Sequence, residues 1–321
     1  MEGYTSYASY VYSKICRYAY CLLLFTINDF KVIIIPHTII GLALASRGVL
    51  LTSNLSPSIE DVLYNAPVVF LWNWLNLLTF NIANQRLEDS ITEDKINKPW
   101  RPIPAGLLNP EAAQRLLLAS IMGSTGSCYL WLGGLTETIL MIIMTWMYND
   151  LGGGSNSLAA RHGLNGAAFA LHTYTSLKLA ASGPCGFFTT VEAIELTQLG
   201  WYWVLIDGCI VATTIHVMDF PDVEGDRERE RRTAPLVVGE DLSRASLGTA
   251  ILFWTFLSLW LWKAQISSLG LPAALVALAV TIAWRTLSYR DEKSDDITYK
   301  VWCGWLVCIV GLFFVGGPTS M

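Results

Sequence analysis

Apolar stretches of about 17–25 residues recur along the whole chain, and each is long enough to cross a hydrocarbon layer. They cover positions 32–51, 61–84, 112–132, 136–148 with an N-terminal extension, 164–181, 199–218, 245–262, 269–287 and 299–315. They do not alternate polar with apolar residues, so helices fit them better than barrel strands. With 53% hydrophobic and 15% charged residues, the chain is too apolar for an ordinary soluble domain. The expected class is an all-α membrane protein of about nine transmembrane helices.

Charge orients such a chain. The connections after the second, fourth, sixth and eighth stretches carry most of the basic residues, Arg161 among them. The opposite connections carry little beyond Arg47 and Lys263. The positive-inside rule places the first set, and the N-terminus, in the cytosol. A glycosylation-type triplet, Asn54-Leu55-Ser56, then falls on the far side. Residues 1–30 include "YVYSKICRYAYCLLLF", whose tyrosines, Lys14 and Arg17 suit a helix lying in the interface. The net charge of −5, with no basic tract and no zinc-finger spacing, argues against a nucleic-acid partner. Cysteines 16, 21, 128, 185, 209, 303 and 308 form no CxxC pair and read as core or lipid-facing residues.

Two connections on the basic side carry the chemistry. The first is "NQRLEDSITEDKINKPWRPIPAG", from Asn84 to Gly106. The second is "HVMDFPDVEGDRERERRTAP", from His216 to Pro235. Asp219, Asp222 and Asp226 would share one face of a helix. Like charges so placed repel by a few tenths of a kcal/mol per pair, and a cation between them reverses the sign. Hard oxygen ligands suit Mg²⁺, often held together with substrate phosphates. Taken alone, a solvated acidic turn is an equal reading. The first connection shifts the balance: Asn84 and Glu88 are one helical turn apart, Asp89 is adjacent, and Lys98 and Arg101 follow. Arg232 follows the second acidic set in the same way. Two loops with acids followed by bases point to one anionic substrate bridged by metal.

These two loops resemble the signature of the UbiA superfamily of intramembrane prenyltransferases. The first motif of that family is NxxxDxxxD, followed by a basic stretch ending in RP and a glycine. Counting back from Arg101-Pro102, Asn84 falls on the asparagine, Glu88 on the first aspartate and Thr92 on the second, with Glu93 and Asp94 beside it. The second motif is intact as Asp219, Asp222, Asp226 and Arg232-Thr233. The resemblance covers nearly the whole chain and implies a helical domain over 31–318. That domain would be a UbiA-type bundle with a central cavity opening to the cytosolic side. It also implies Mg²⁺ as cofactor, an isoprenyl diphosphate as substrate, the lipid bilayer as surroundings and no obligate protein partner. "DKINKPWRPIP", "DFPDVEGDR" and "YNDLGGG" resemble a fungal branch that includes membrane terpene cyclases, which ionise farnesyl diphosphate and close the chain on itself. That branch implies the endoplasmic reticulum. Transfer of a polyprenyl group to an acceptor is the alternative. A non-catalytic transporter or scaffold is the reading from another class.

On this resemblance Asn84, Glu88, Asp89, Asp219, Asp222 and Asp226 are the candidate metal ligands. Lys98, Arg101, Arg232 and His216 are the candidate diphosphate contacts. Phe80, Trp146, Tyr148 and Tyr174 are candidates for stabilising a carbocation through their ring faces, although aromatic belts occur in any membrane protein. Asp150 has two readings, a metal or proton role and a plain helix-end acid. Gly152-Gly153-Gly154 is a turn, because no Gly-Lys-Ser/Thr follows it. His37, His162 and His172 show no ligand spacing and read as packed or hydrogen-bonded. Asp207 and Lys178, at membrane depth, face either a cavity or a hydrated surface.

Overall fold

Where they are described, the nine apolar stretches fall on helices and the turns that join them in the computed structural model, which describes residues 2–54, 58–182, 194–262 and 270–315. Helix α1 (Glu2–Thr26) leads through a 3₁₀ turn (Ile27–Asp29) and a π turn (Phe30–Ile34) into α2 (Ile35–Ala45) and α3 (Gly48–Leu51). Then come α4 (Ile59–Tyr64), α5 (Ala66–Gln85), α6 (Glu88–Asn97), α7 (Pro110–Ser127) and α8 (Leu135–Tyr148). Helices α9 (Leu158–Ala181) and α10 (Gln198–Thr214) follow, and α10 runs into a 3₁₀ turn (Ile215–Met218). The short α11 (Val223–Glu228) and α12 (Ala234–Val237) precede α13 (Glu240–Leu261), α14 (Leu271–Ser288) and α15 (Glu292–Val315). The described residues contain no strand, only an isolated bridge between Thr52 and Leu196.

Among the described residues, five helical segments are both long and apolar enough to cross a membrane: Lys14–Ala45, Ile59–Gln85, Gln198–Met218, Glu240–Leu261 and Leu271–Ser288. The first begins well before position 32. α1 packs along α5, where the Phe25 carbonyl accepts from Asn81 and Gln85 and Trp74 donates to Thr26. α8 is apolar but has 14 residues. α9 is long enough but carries Arg161, His162, Asn165, His172 and Lys178. The six described cysteines are free; Cys185, Leu55 and Ser56 lie outside the described residues.

Helix starts follow local chemistry. Ser58, Asn109, Ser157 and Thr197 each accept a backbone N–H from the first turn of the helix they precede. Prolines occupy the first turns of α5, α7 and α14, where a missing N–H costs nothing. Between α7 and α8 the chain reverses at Gly133 and Gly134, with φ of 78° and 70°.

α9 is the central helix and packs against α2, α5, α8 and α10. Small residues let the backbones close up, as they do between membrane helices generally. A Cβ on Gly166 would stand 2.6 Å from the Gly208 carbonyl oxygen of α10. A Cβ on Gly41 of α2 would stand 2.5 Å from the Ser176 Cβ of α9. In the core, Trp302 and Trp305 are fully buried, and their N–H groups donate to Thr214 and Thr255.

This packing makes a paired prediction. Gly166→Ala should destabilise the bundle by about 1–3 kcal/mol through overpacking. Gly163→Ala on the same helix, with nothing within 4 Å, should be neutral or stabilise by up to about 1 kcal/mol. Thermal unfolding in detergent should separate the two variants in that order.

Candidate active site

A cavity of about 1000 Å³, counting its open mouth, lies between α5, α8, α9, the 27–34 turns and the segment after α10. Its polar lining gathers at the C-terminal end of α5 and the N-terminal end of α9: Asn84, Lys98, Arg101, Tyr148, Arg161, Asp222 and Arg231. Farther along the same helices the lining turns apolar, with Leu77, Phe80, Met141 and Phe169.

The first acidic stretch does not continue α5. That helix ends at Gln85, and Leu87 is extended (ψ 142°), so Glu88 starts a new helix. Asn84 and Glu88 are therefore not one turn apart on a single face. Glu88 and Asp89 are exposed and line no part of the cavity, and Asp89 pairs with Arg229. The α6 acids that turn inward are Glu93 and Asp94, at 4% and 1% exposure. Glu93 lines the cavity and Asp94 holds Arg101.

The second stretch also breaks the expected single face. Asp219 ends the 3₁₀ turn, Asp222 precedes α11 and Asp226 sits inside it. Each carboxylate has its own cation: Asp219 with Arg161, Asp222 with Lys98 and Asp226 with Arg231. Asp219 and Asp226 are buried behind those arginines, and only Asp222 lines the cavity.

The four cations facing the cavity are Lys98, Arg101, Arg161 and Arg231, against the carboxylates of Asp29, Glu93 and Asp222. Arg232 is exposed and contributes its backbone N–H to the Ser155 carbonyl. The turn through Glu230, at φ 57°, brings Arg231 inward instead. Arg231 and Arg161 both donate to the Tyr148 hydroxyl and the Gly154 carbonyl. His216 is buried beside the Ser243 carbonyl and stacks on His162 at 5.5 Å, away from the cavity lining.

Among the aromatics, Phe80 and Tyr148 line the cavity with ring centroids 5.3 Å apart. Trp146 does not: two residues from Tyr148, it sits about 200° round the helix and is 55% exposed. Tyr174, two residues from the cavity-lining His172, is turned away likewise and stacks on Trp201 at 5.2 Å. Asn149 accepts from the Asn84 amide, and Asp150 pairs with Arg86. Asp207 accepts from Thr173, and Lys178 pairs with Glu137, so both side chains find partners inside the bundle.

Sequence reasoning gave no site role to Asn165 or Phe169, named Glu93 only as a neighbour of the Thr92 motif position, and counted Arg161 and Arg231 only for orientation. Glu93 and Arg231 each stand one residue from a motif position, and the turns before them shift the register.

The fit to Mg²⁺ can be tested on the donors. Among the described residues, no three His, Cys, Asp or Glu side chains converge as a metal cage. Asn84, Glu93 and Asp222 nonetheless bring oxygen donors to one mouth, the kind Mg²⁺ takes alongside substrate phosphates. The buried Asp226 Oδ2 has no hydrogen-bond partner. The donor set fits a metal held largely by substrate phosphate rather than by a protein cage.

Charge is tightly balanced here. Burial opposes ionisation of Glu93, but Arg231, Arg229 and Lys98 outweigh it and hold its carboxyl down at about 2. Burial dominates at Asp226 and pushes it up to about 7. Glu93→Gln should destabilise the protein by about 3–5 kcal/mol, because it removes the buried carboxylate that Arg229 and Arg231 share and leaves them only Asp89 and Asp226. Glu93 is depressed from 4.5 to about 2, so its contribution is complete above pH 4.5 and lost as pH falls toward 2. Thermal unfolding in detergent should therefore show wild type and Glu93→Gln converging as the pH is lowered through that window.

The pattern of the UbiA prenyltransferase family matches residues 33–306. The chain is 34% identical over 251 residues to fumagillin beta-trans-bergamotene synthase af520 of Aspergillus fumigatus, covering 74% of this chain and 76% of that one. It is 29% identical to polyprenyl transferase eriF of Hericium erinaceus over 89% of this chain and 90% of that one. Among solved structures, a UbiA homolog from Archaeoglobus fulgidus bound to GPP and Mg2+ superposes with a TM-score of 0.58 at 14% identity, covering 92% and 100% of the two chains. The family match, the fungal relatives and the shared helical fold converge: the chain belongs to the UbiA prenyltransferase family, integral membrane enzymes that act on prenyl diphosphates.

Proposed function

We propose that the chain ionises farnesyl diphosphate with Mg²⁺ and cyclises the cation to a sesquiterpene hydrocarbon of the bergamotene type, releasing diphosphate. The observation that carries this reading is a single cavity with a cation-rich mouth and an apolar, aromatic-lined interior. Lys98, Arg101, Arg161 and Arg231 hold the diphosphate in a site where preorganised charge favours the leaving group over its ester. Asn84, Asp222 and Glu93 offer oxygens to Mg²⁺, which supplies Lewis-acid stabilisation of the departing phosphate when bound. Asp219 and Asp226 act behind them, fixing the guanidiniums of Arg161 and Arg231. Phe80, Phe169 and Tyr148 present rings to the cation, each interaction worth up to about 2 kcal/mol when desolvated. The apolar lining keeps water from it. The motif loops face the cytosol, in the endoplasmic reticulum membrane.

One feature favours the second reading, transfer to an acceptor. A neighbouring pocket shares Asn28, Lys98, Met218 and Asp222 with the cavity and adds Lys31 and Trp100. An acceptor bound there would meet the cation at the mouth. The 29% identity to a polyprenyl transferase agrees with this reading.

Purified protein given farnesyl diphosphate and Mg²⁺ without acceptor should yield a cyclic hydrocarbon by mass-detected gas chromatography, with matching diphosphate. Intact substrate or farnesol alone would contradict cyclisation; diphosphate release only on adding an acceptor would establish transfer. In the same assay Arg231→Ala should slow diphosphate release by about 10²-fold or more. Arg232→Ala should stay within about twofold of wild type, as an exposed substitution does.

A further inference from the structure

His172 lines the apolar part of the cavity and is 2% exposed. It lies on α9 eleven residues beyond Arg161, about 16 Å along the helix at 1.5 Å per residue. Its surroundings fix which ring nitrogen carries hydrogen. Nδ1 is 2.7 Å from the Asn73 side-chain oxygen. The Asn73 amide nitrogen already donates to the Val69 carbonyl and the Ser176 hydroxyl, each at 2.9 Å. The atom facing the ring is therefore an oxygen, which only accepts, so Nδ1 must donate. In the neutral ring Nε2 is left with a bare lone pair.

No group among the described residues bonds Nε2. Nor is it sealed inside protein, as the unpartnered ring nitrogens of His162 and His216 are. The rings packed on His172 are His37 at 5.1 Å and Trp72 at 5.5 Å. The Trp72 N–H is engaged by Thr138, and the His37 Nδ1 by the Ile33 carbonyl. Among the described residues no carboxylate lines this end of the cavity; Asp29 belongs to the Ile27–Asp29 turn, and Glu93 and Asp222 to the two motif segments.

We propose that His172 is the catalytic base that ends the reaction, an assignment that rests on the cyclase reading above. In this step Nε2 takes a proton from the carbon next to the cationic carbon. The C–H bond breaks, and its electron pair becomes the new C=C bond. The positive charge passes to the imidazolium, which returns its proton when the product leaves and water enters. Asn73 is the positioning residue, since its amide oxygen selects the tautomer that can accept. The departed diphosphate, the other available base, is held at the mouth by Arg161 and its neighbours, three helical turns away.

The test has two stages. Wild type must first release diphosphate from farnesyl diphosphate without acceptor and form its hydrocarbon; failure there removes the cyclase reading, not this assignment alone. Given that activity, His172→Gln should still release diphosphate near the wild-type rate. The yield of the wild-type hydrocarbon should fall by about 10²-fold, the low end for a positioned base, with alcohols or isomeric alkenes in its place. An unchanged product spectrum would overturn the proposal. Because glutamine could disturb folding, the unaltered protein supplies the second measurement. A farnesyl diphosphate analogue with fluorine replacing the departing hydrogens gives a cation that cannot lose a proton. The Nε2 lone pair then forms a C–N bond to it, and peptide mass spectrometry should find the adduct on His172. Turnover of the analogue with no adduct at His172 would overturn the proposal independently.

Discussion

The side chain of Asn97 joins the two halves of the site. Its amide nitrogen donates to the Asp222 carbonyl, and its amide oxygen accepts from the Gly225 N–H. These bonds bracket the start of α11 against the end of α6, residues more than 120 positions apart in sequence. A side chain on residue 225 would occupy the space of that amide, which is why a glycine stands there. Around the bracket lie the ion pairs of Lys98 with Asp222 and of Arg229 and Arg231 with Glu93. Buried pairs of this kind add little net stability over apolar packing, but they are costly to break singly. Their main effect is to fix where the charges stand.

From that clasp the chemistry of the cavity follows. α9 runs from the charged mouth into the bundle, and its close contacts with α2 and α10 at Gly41, Gly166 and Gly208 keep its inner face in register with α5. Along one helix the lining passes from Arg161 through Asn165 and Phe169 to His172. One end attracts an anion, the middle tolerates only hydrocarbon, and the far end offers a lone pair. The order along the helix matches the order of events in a reaction that begins by losing diphosphate and finishes by losing a proton.

Much of this was legible in the sequence. Long apolar runs marked the major helices after α1, because a segment that must satisfy its backbone inside lipid has few alternatives to helix. The two motif loops, with Asn84, Lys98, Arg101 and Asp222, were legible as one site because acids and bases alternate there in a pattern that a solvated turn does not need. What escaped was register. Treating 84–88 and 219–226 as continuous helix placed Glu88 inside and grouped three aspartates on one face. The extended Leu87 and the positive φ at Glu230 rotate the chain so that Glu93 and Arg231 enter instead. Single backbone angles of that kind leave no mark in composition or spacing. Arg161 and His172 escaped for another reason. They lie on a helix without a motif, and their place in the cavity lining is visible only once α9 is seen at the centre of the bundle.

The central claim is that both motif segments and α9 grip one diphosphate. Its most direct test is a solved complex with Mg²⁺ and an inert thiolo analogue of farnesyl diphosphate. The account predicts the diphosphate within hydrogen-bond distance of Lys98 from the first segment, Arg231 from the second and Arg161 from α9, with the isoprenoid chain directed toward His172. A diphosphate bound by only one of those segments, or a chain directed out into the bilayer, would contradict it.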